Sequence, residues 1–226
     1  MAENRSLWGV CGLRITPLVQ CLPPAAGAPA ALTYEQIGVM NIALSADLKE
    51  GIDDSHENAC GGICAVVKTC DTVRSYSVAG EMCSICPDLL AGAIGLQAIL
   101  DALGNVIGHS VGNALTGCHE SLIEIWSKAA NNNGQLCTPV GDEFVKFILP
   151  RATLGPMENF TLNSGFNNVP IKGDGISNPL LTPAIMEAAF PGSTNGATAW
   201  DLNSSLHVIV GTDQPPANPT CAARNY

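Results

Sequence analysis

Two stretches decide the fold: Leu122-Ile123-Glu124-Ile125-Trp126 and Glu143-Phe144-Val145-Lys146-Phe147. In both, polar and apolar residues exchange faces at every second position, the period of an extended chain with one face on a core. Between them lies Asn132-Asn133-Gly134, which supplies the positive-φ residues of a tight reversal. The pair therefore predicts two antiparallel strands of a half-buried sheet.

Working outward, Ile37 to Leu44, Ile63 to Lys68, Val73 to Val78, Phe160 to Ile171 and Leu206 to Val210 also read as extended segments punctuated by turns. One helix is expected, starting near Pro87-Asp88 and running toward Leu100, with Gly92 and Gly95 weakening it. Residues 22 to 31 and 213 to 219 are rich in Pro and Ala and read as extended arms. The expectation is one mainly-β domain over 1–226: an N-terminal arm (1–31), a β core (32–212) and a C-terminal arm (213–226).

Charge narrows the function. Twenty acidic against 10 basic residues give a net charge of −10, which disfavours a nucleic-acid binder, since that needs a cationic stripe to displace counterions. Charged residues are 13% of the chain, about half the roughly 25% of an ordinary soluble domain. So sparse a charge cover points to a surface that meets other protein. Met1 to Val10 carries Glu3 and Arg5 with no apolar run behind it, so no secretory signal is expected. The apolar stretch Leu89 to Leu100 is too short to span a bilayer. A soluble chain made in the cytoplasm is the resulting expectation, with no membrane partner.

There, ten cysteines read as buried thiols. Cys60 and Cys64 of CGGIC would lie about 13 Å apart on a strand, too far to share a zinc ion. The spacing of Cys83 and Cys86 in CSIC is better, but no second such pair accompanies it. Asp47 to Glu57 holds five carboxylates without the register of a calcium loop and reads as a solvated loop. No metal or cofactor is expected.

One enzymatic motif stands out. Gly108-His109-Ser110-Val111-Gly112 follows apolar Val106-Ile107 and resembles the nucleophile elbow of the α/β-hydrolases, which would make Ser110 the nucleophile, Asp174 or Asp201 the acid and His207 the base. Against it, Gly112 to Gly117 are poor helix formers where the elbow demands a helix, and strands do not alternate with long helices. His119-Glu120 lacks the second histidine of a zinc protease motif, and Gly173-Asp174-Gly175 lacks the third glycine of a nucleotide cradle. A serine esterase stays as the alternative.

Taken in order, NACGGICAVV (58–67), CSICPDLLAGAIG (83–95), SLIEIWSK (121–128), FVKFILPRATL (144–154), FTLNSGFNNVPIKGDGISNP (160–179) and LHVIVGTDQPP (206–216) resemble the major tail proteins of long-tailed, non-contractile phages, particularly of actinobacterial hosts. The resemblance covers most of residues 50 to 216. It departs at Leu180-Leu181-Thr182-Pro183, so it carries no expectation for the conformation of 180–200. It implies a two-sheet β-sandwich with a flanking helix, six subunits per ring, and rings stacked into a tube in the virion tail, assembled in the host cytoplasm. Other tail proteins would cap the tube ends, and double-stranded DNA would pass through the lumen without specific binding. An acidic wall suits such a channel, because it repels phosphates within a Debye length of about 8 Å. Candidates for the wall are Asp47, Glu50, Asp53, Asp54, Glu57, Glu124 and Glu143. The arms and the acidic loop 45–60 are the segments expected to order on stacking.

Overall fold

The computed structural model describes residues 5–24, 32–36, 39–57, 63–82, 97–104, 106–110, 120–131, 143–155, 169–212 and 224–225. The chain is mainly β, 62% strand, with antiparallel sheets and one short helix among the described residues. Its strands are β1 (Arg5–Pro17), β2 (Leu32–Gln36), β3 (Val39–Lys49), β4 (Asp53–Glu57), β5 (Ile63–Lys68), β6 (Thr72–Met82), β7 (Gln97–Leu100), β8 (Val106–Ser110), β9 (Glu120–Asn131), β10 (Glu143–Leu154), β11 (Val169–Ile176), β12 (His207–Thr212) and β13 (Arg224–Asn225). The helix, α1, spans Pro183–Ala189. Among the described residues, no helix is long and apolar enough to cross a membrane.

Nine strands form one sheet in the order β13-β2-β1-β9-β10-β11-β6-β3, with β12 pairing β10 beside β11. The two deciding segments are its central strands, β9 and β10, in a register that runs from Glu143↔Ala129 to Thr153↔Glu120. β3, at one end of the path, lies close to β1. Side chains on the face thus enclosed form the main core: Leu13 and Ile15 from β1, Ile123 and Ile125 from β9, Leu149 and Leu154 from β10, with Ile171, Val78 and Met82 across from them. Alternation puts Leu122 and Ile148 on the opposite face, where Leu181, Met186, Ala189 and Phe190 cover them. The central strands are therefore buried on both faces, not on one as their alternation suggests.

The cover forms because its sequence caps itself. Thr182 Oγ1 accepts from Ile185 N–H (3.3 Å), Pro183 opens the helix where its missing N–H costs nothing, and Phe190 N–H closes it on Met186 O. Buried Asn178 fastens the approach, donating from Nδ2 to Cys21 O and Pro150 O and accepting from Leu180 N–H. Gly173 and Gly175 of β11 permit close approach to β10, because a Cβ on Gly173 would sit 2.5 Å from Thr153 O and one on Gly175 2.8 Å from Leu149 Cδ2. The Gly-Asp-Gly run is thus a packing device of the sheet.

Three expectations need correction. Residues 5–17 are not part of an arm: β1 pairs with β9 from Arg5↔Asn131 to Pro17↔Ser121 and buries Leu13 and Ile15. The expected helix does not reach Leu100, since Gln97–Leu100 is strand paired with Val106–Ser110; its other residues, 87–96, lie outside the described ones, as do Cys83, Cys86, Cys60 and Asn132-Asn133-Gly134. The acidic segment 47–57 is mostly strand and not a loop throughout: it forms the end of β3 and the whole of β4, with only 50–52 irregular between them.

Candidate functional site

Between β3 and β6 the chain leaves the sheet as a two-stranded ribbon. β3 and β6 pair as far as Lys49↔Thr72, and β4 and β5 resume with Asp53↔Lys68 and continue to Glu57↔Ile63. Side chains brace the waist: Asp71 Oδ1 accepts from Gly51 N–H (2.8 Å), Thr69 Oγ1 accepts from Ile52 N–H (2.7 Å), and Ile52 O accepts from Thr69 N–H. Beyond that waist, β4 and β5 pair only with each other among the described strands. On β5, Ile63, Val66 and Val67 stand exposed, Ile63 at 65% and Val66 at 58%, as do Ile52 at the waist and the paired Leu48 and Val73 of β3 and β6 before it. A second ribbon, β7–β8, ends in a turn in which Asp101 Oδ1 accepts from Leu103 N–H and Asp101 O from Gly104 N–H, with Gly104 at φ +85°. That turn holds Leu103 87% exposed.

The acidic candidates fall into three groups. Asp47, Glu50, Asp53 and Asp54 are exposed on the ribbon or its waist. Asp53 pairs with Lys68 Nζ (3.0 Å), Asp54 lies 3.7 Å from His56 Nε2, and Asp47 accepts weakly from Ser75 Oγ (3.4 Å). The side chains of Glu57 and Glu143 lie outside the described ones. Glu124 is a correction, because it is 0% exposed and cannot face a channel from this subunit.

Glu124 is instead the centre of a buried ion cluster on the covered face. Arg14 Nε donates to Glu124 Oε2 (2.5 Å) and Lys146 Nζ to Oε1 (3.0 Å), the three residues coming from adjacent strands β1, β9 and β10. The Arg14 guanidinium lies between two rings, 4.3 Å from the Phe190 centroid and 5.1 Å from that of Trp126. Burial pushes the Glu124 carboxyl up, but the two cations beside it outweigh this and hold it below the usual carboxylate range. Burial draws Lys146 below the ordinary lysine value, with Glu124 opposing. Such a cluster is held by its geometry; removing one member strands the rest.

The hydrolase candidates do not converge. Ser110 closes β8 in the separate β7–β8 ribbon. His207 pairs with Ile148 and Asp174 with Thr153, both on the same edge of β10. Five residues along a strand separate them by about 16 Å, far beyond a hydrogen bond. The carboxylate near His207 is Asp201, and the imidazole stacks on Trp200 with centroids 4.6 Å apart. These residues border an open, largely polar hollow of about 460 Å³ with Thr194 and Val208. Ser110 is not among its lining residues. Among the described residues no three His, Cys, Asp or Glu side chains gather as metal ligands.

No protein-family model matches this chain, and no curated protein sequence does either.

The sequence reading missed both the burial of Glu124 and the covering segment. Matched charges at Arg14, Glu124 and Lys146 on three strands with apolar residues on both sides are the signal that could have shown the first.

Proposed function

We propose that this protein is a structural subunit that polymerises with its own copies, and specifically the tail-tube subunit of a long-tailed, non-contractile phage. The observation that carries the reading is the projecting ribbon. A two-stranded hairpin with water on both faces is marginal in isolation, and among the described residues this one has two unpaired edges and exposed aliphatic side chains. Unpaired edges invite strand addition.

In this reading, the approach of β3 to β1 closes a two-layer sandwich, and ribbons of neighbouring subunits pair edge to edge around a lumen. Rings of six then stack into the tube. The exposed carboxylates Asp47, Glu50, Asp53 and Asp54 would line or rim the channel, where negative charge keeps DNA from adsorbing. The resemblance of the sequence to tail proteins supports the choice of assembly; the ribbon supports assembly as such.

Electron microscopy of concentrated purified protein tests this. Rings or tubes are expected, and a field of dispersed single subunits under crowded conditions overturns it.

A further inference from the structure

We propose that Arg14, Glu124 and Lys146 are a register lock, the groups that decide which face of β9 and β10 turns toward the main core. In an ordinary half-buried strand, the apolar pattern does this job, since a slip by one residue throws every core side chain into water. That penalty is missing in the central strands. β9 presents Ile123 and Ile125 to the main core and Leu122 and Trp126 to the covered face, and all four are buried. In β10, Leu149 faces one core and Ile148 the other. Exchanging the faces would replace apolar with apolar.

The charges break this near-symmetry. Arg14 stands directly opposite Glu124 in the β1–β9 register, and Lys146, opposite Trp126, reaches the same carboxylate from two pairs further along, on the same face. A one-residue slip of β9 alone carries Glu124 through the sheet to the main core, away from both cations. A slip of β10 alone does the same to Lys146. Either leaves a buried charge without its partner, one of the costliest defects a fold can hold. The ladders around the cluster do shift: twice by one residue between Trp8 and Gly12 in β1, and once between Leu149 and Ala152 in β10. The pairing of Gly12 to Pro17 with Trp126 to Ser121, which contains Arg14 and Glu124, is regular, and so is that of Glu143 to Leu149 with Ala129 to Ile123, which contains Lys146. The lock therefore lies in the regular stretch between irregular ones. The inference concerns folding of the single chain and holds whether or not the subunits polymerise.

The test replaces all three charges by apolar residues of similar volume, Arg14→Met, Glu124→Leu and Lys146→Met, because an apolar swap of a whole buried cluster is commonly tolerated or stabilising. Cross-strand contacts are then read by NMR on the full chain. The natural protein should give one set, including Leu13 against Ile125 and Ile15 against Ile123. The triple variant is expected to give a second set displaced by one residue. A single native set in the triple variant overturns the lock. If the triple variant does not fold, Lys146→Met decides alone: a second set confined to the β9–β10 pairing, with β1–β9 unchanged, supports the proposal, and a single native set throughout overturns it.

Discussion

The β9–β10 pair and the β4–β5 ribbon are both antiparallel ladders that mix aliphatic and charged side chains, yet they meet opposite fates. In β9–β10, further strands flank the pair on both edges and α1 with its following turn covers the second face, so even Glu124 and Lys146 are sealed from water. In β4–β5 nothing among the described residues adds a third layer, and Val66 and Ile63 remain in solvent. The contrast separates two things that alternation merges. A two-residue period makes a strand; whether that strand is buried depends on what the rest of the chain lays upon it.

The largest test of this difference uses one chemical change in both places. Glu124→Gln strands the Arg14 and Lys146 charges under the cover, and a loss of about 3–5 kcal/mol is expected from urea unfolding of dilute protein. Asp53→Asn, which breaks the exposed pair with Lys68, should cost no more than about 1 kcal/mol. Equal losses would erase the distinction. Next comes aliphatic truncation: Ile148→Ala, with its side chain wholly buried against the α1 cover, is expected to cost about 2–5 kcal/mol, while Val66→Ala should stay within about 0.5 kcal/mol.

A third comparison sharpens the functional reading. Ile63→Lys combined with Val66→Lys places two cations on the open ribbon; unfolding of the dilute subunit should be unchanged within about 0.5 kcal/mol, while sedimentation at high concentration loses the assembled species. Should the double variant assemble as before, the ribbon is not the contact between copies. Should it instead unfold like Ile148→Ala, the ribbon is packed within the subunit.

Much of the sheet was legible because its strands carry their own period. Ile63–Lys68 emerged with the bounds expected of it, β6, β9 and β10 extend the expected segments by a few residues, and β12 begins one residue after and ends two residues beyond its expected bounds. β1 was lost to its surroundings, since a Pro- and Ala-rich stretch follows it and invited the reading of one continuous arm. The acidic run Asp47 to Glu57 suggested a loop because carboxylates are poor strand formers; pairing with the aliphatic residues of β5 overrides that preference. Glu124 looked like a surface charge for the same local reason. Its partners lie 110 and 22 residues away, and no window on the chain contains all three. The α1 segment is seven residues long, below the length at which periodicity speaks.

The smallest effect sits where the covered region meets its margin, at the first residue of β12. His207 is half-buried against Trp200, and burial draws its imidazole below 6.5, with Asp201 opposing. The unfolded chain takes up that proton near 6.5, whereas the folded chain resists until a lower pH. The unfolded state therefore binds more protons in between, and stability falls as pH drops from about 6.5 to the folded value. Below that value this group has no further influence. Glu124 acts in a separate and more acidic window: its stabilisation is complete above the ordinary carboxylate range and is lost as pH falls through its lowered folded value. His207→Asn should therefore flatten the stability profile below pH 6.5 and leave the steeper acid limb intact. A profile that changes only in the acid limb would place the proton elsewhere, and with it the seam that joins the cover to β12.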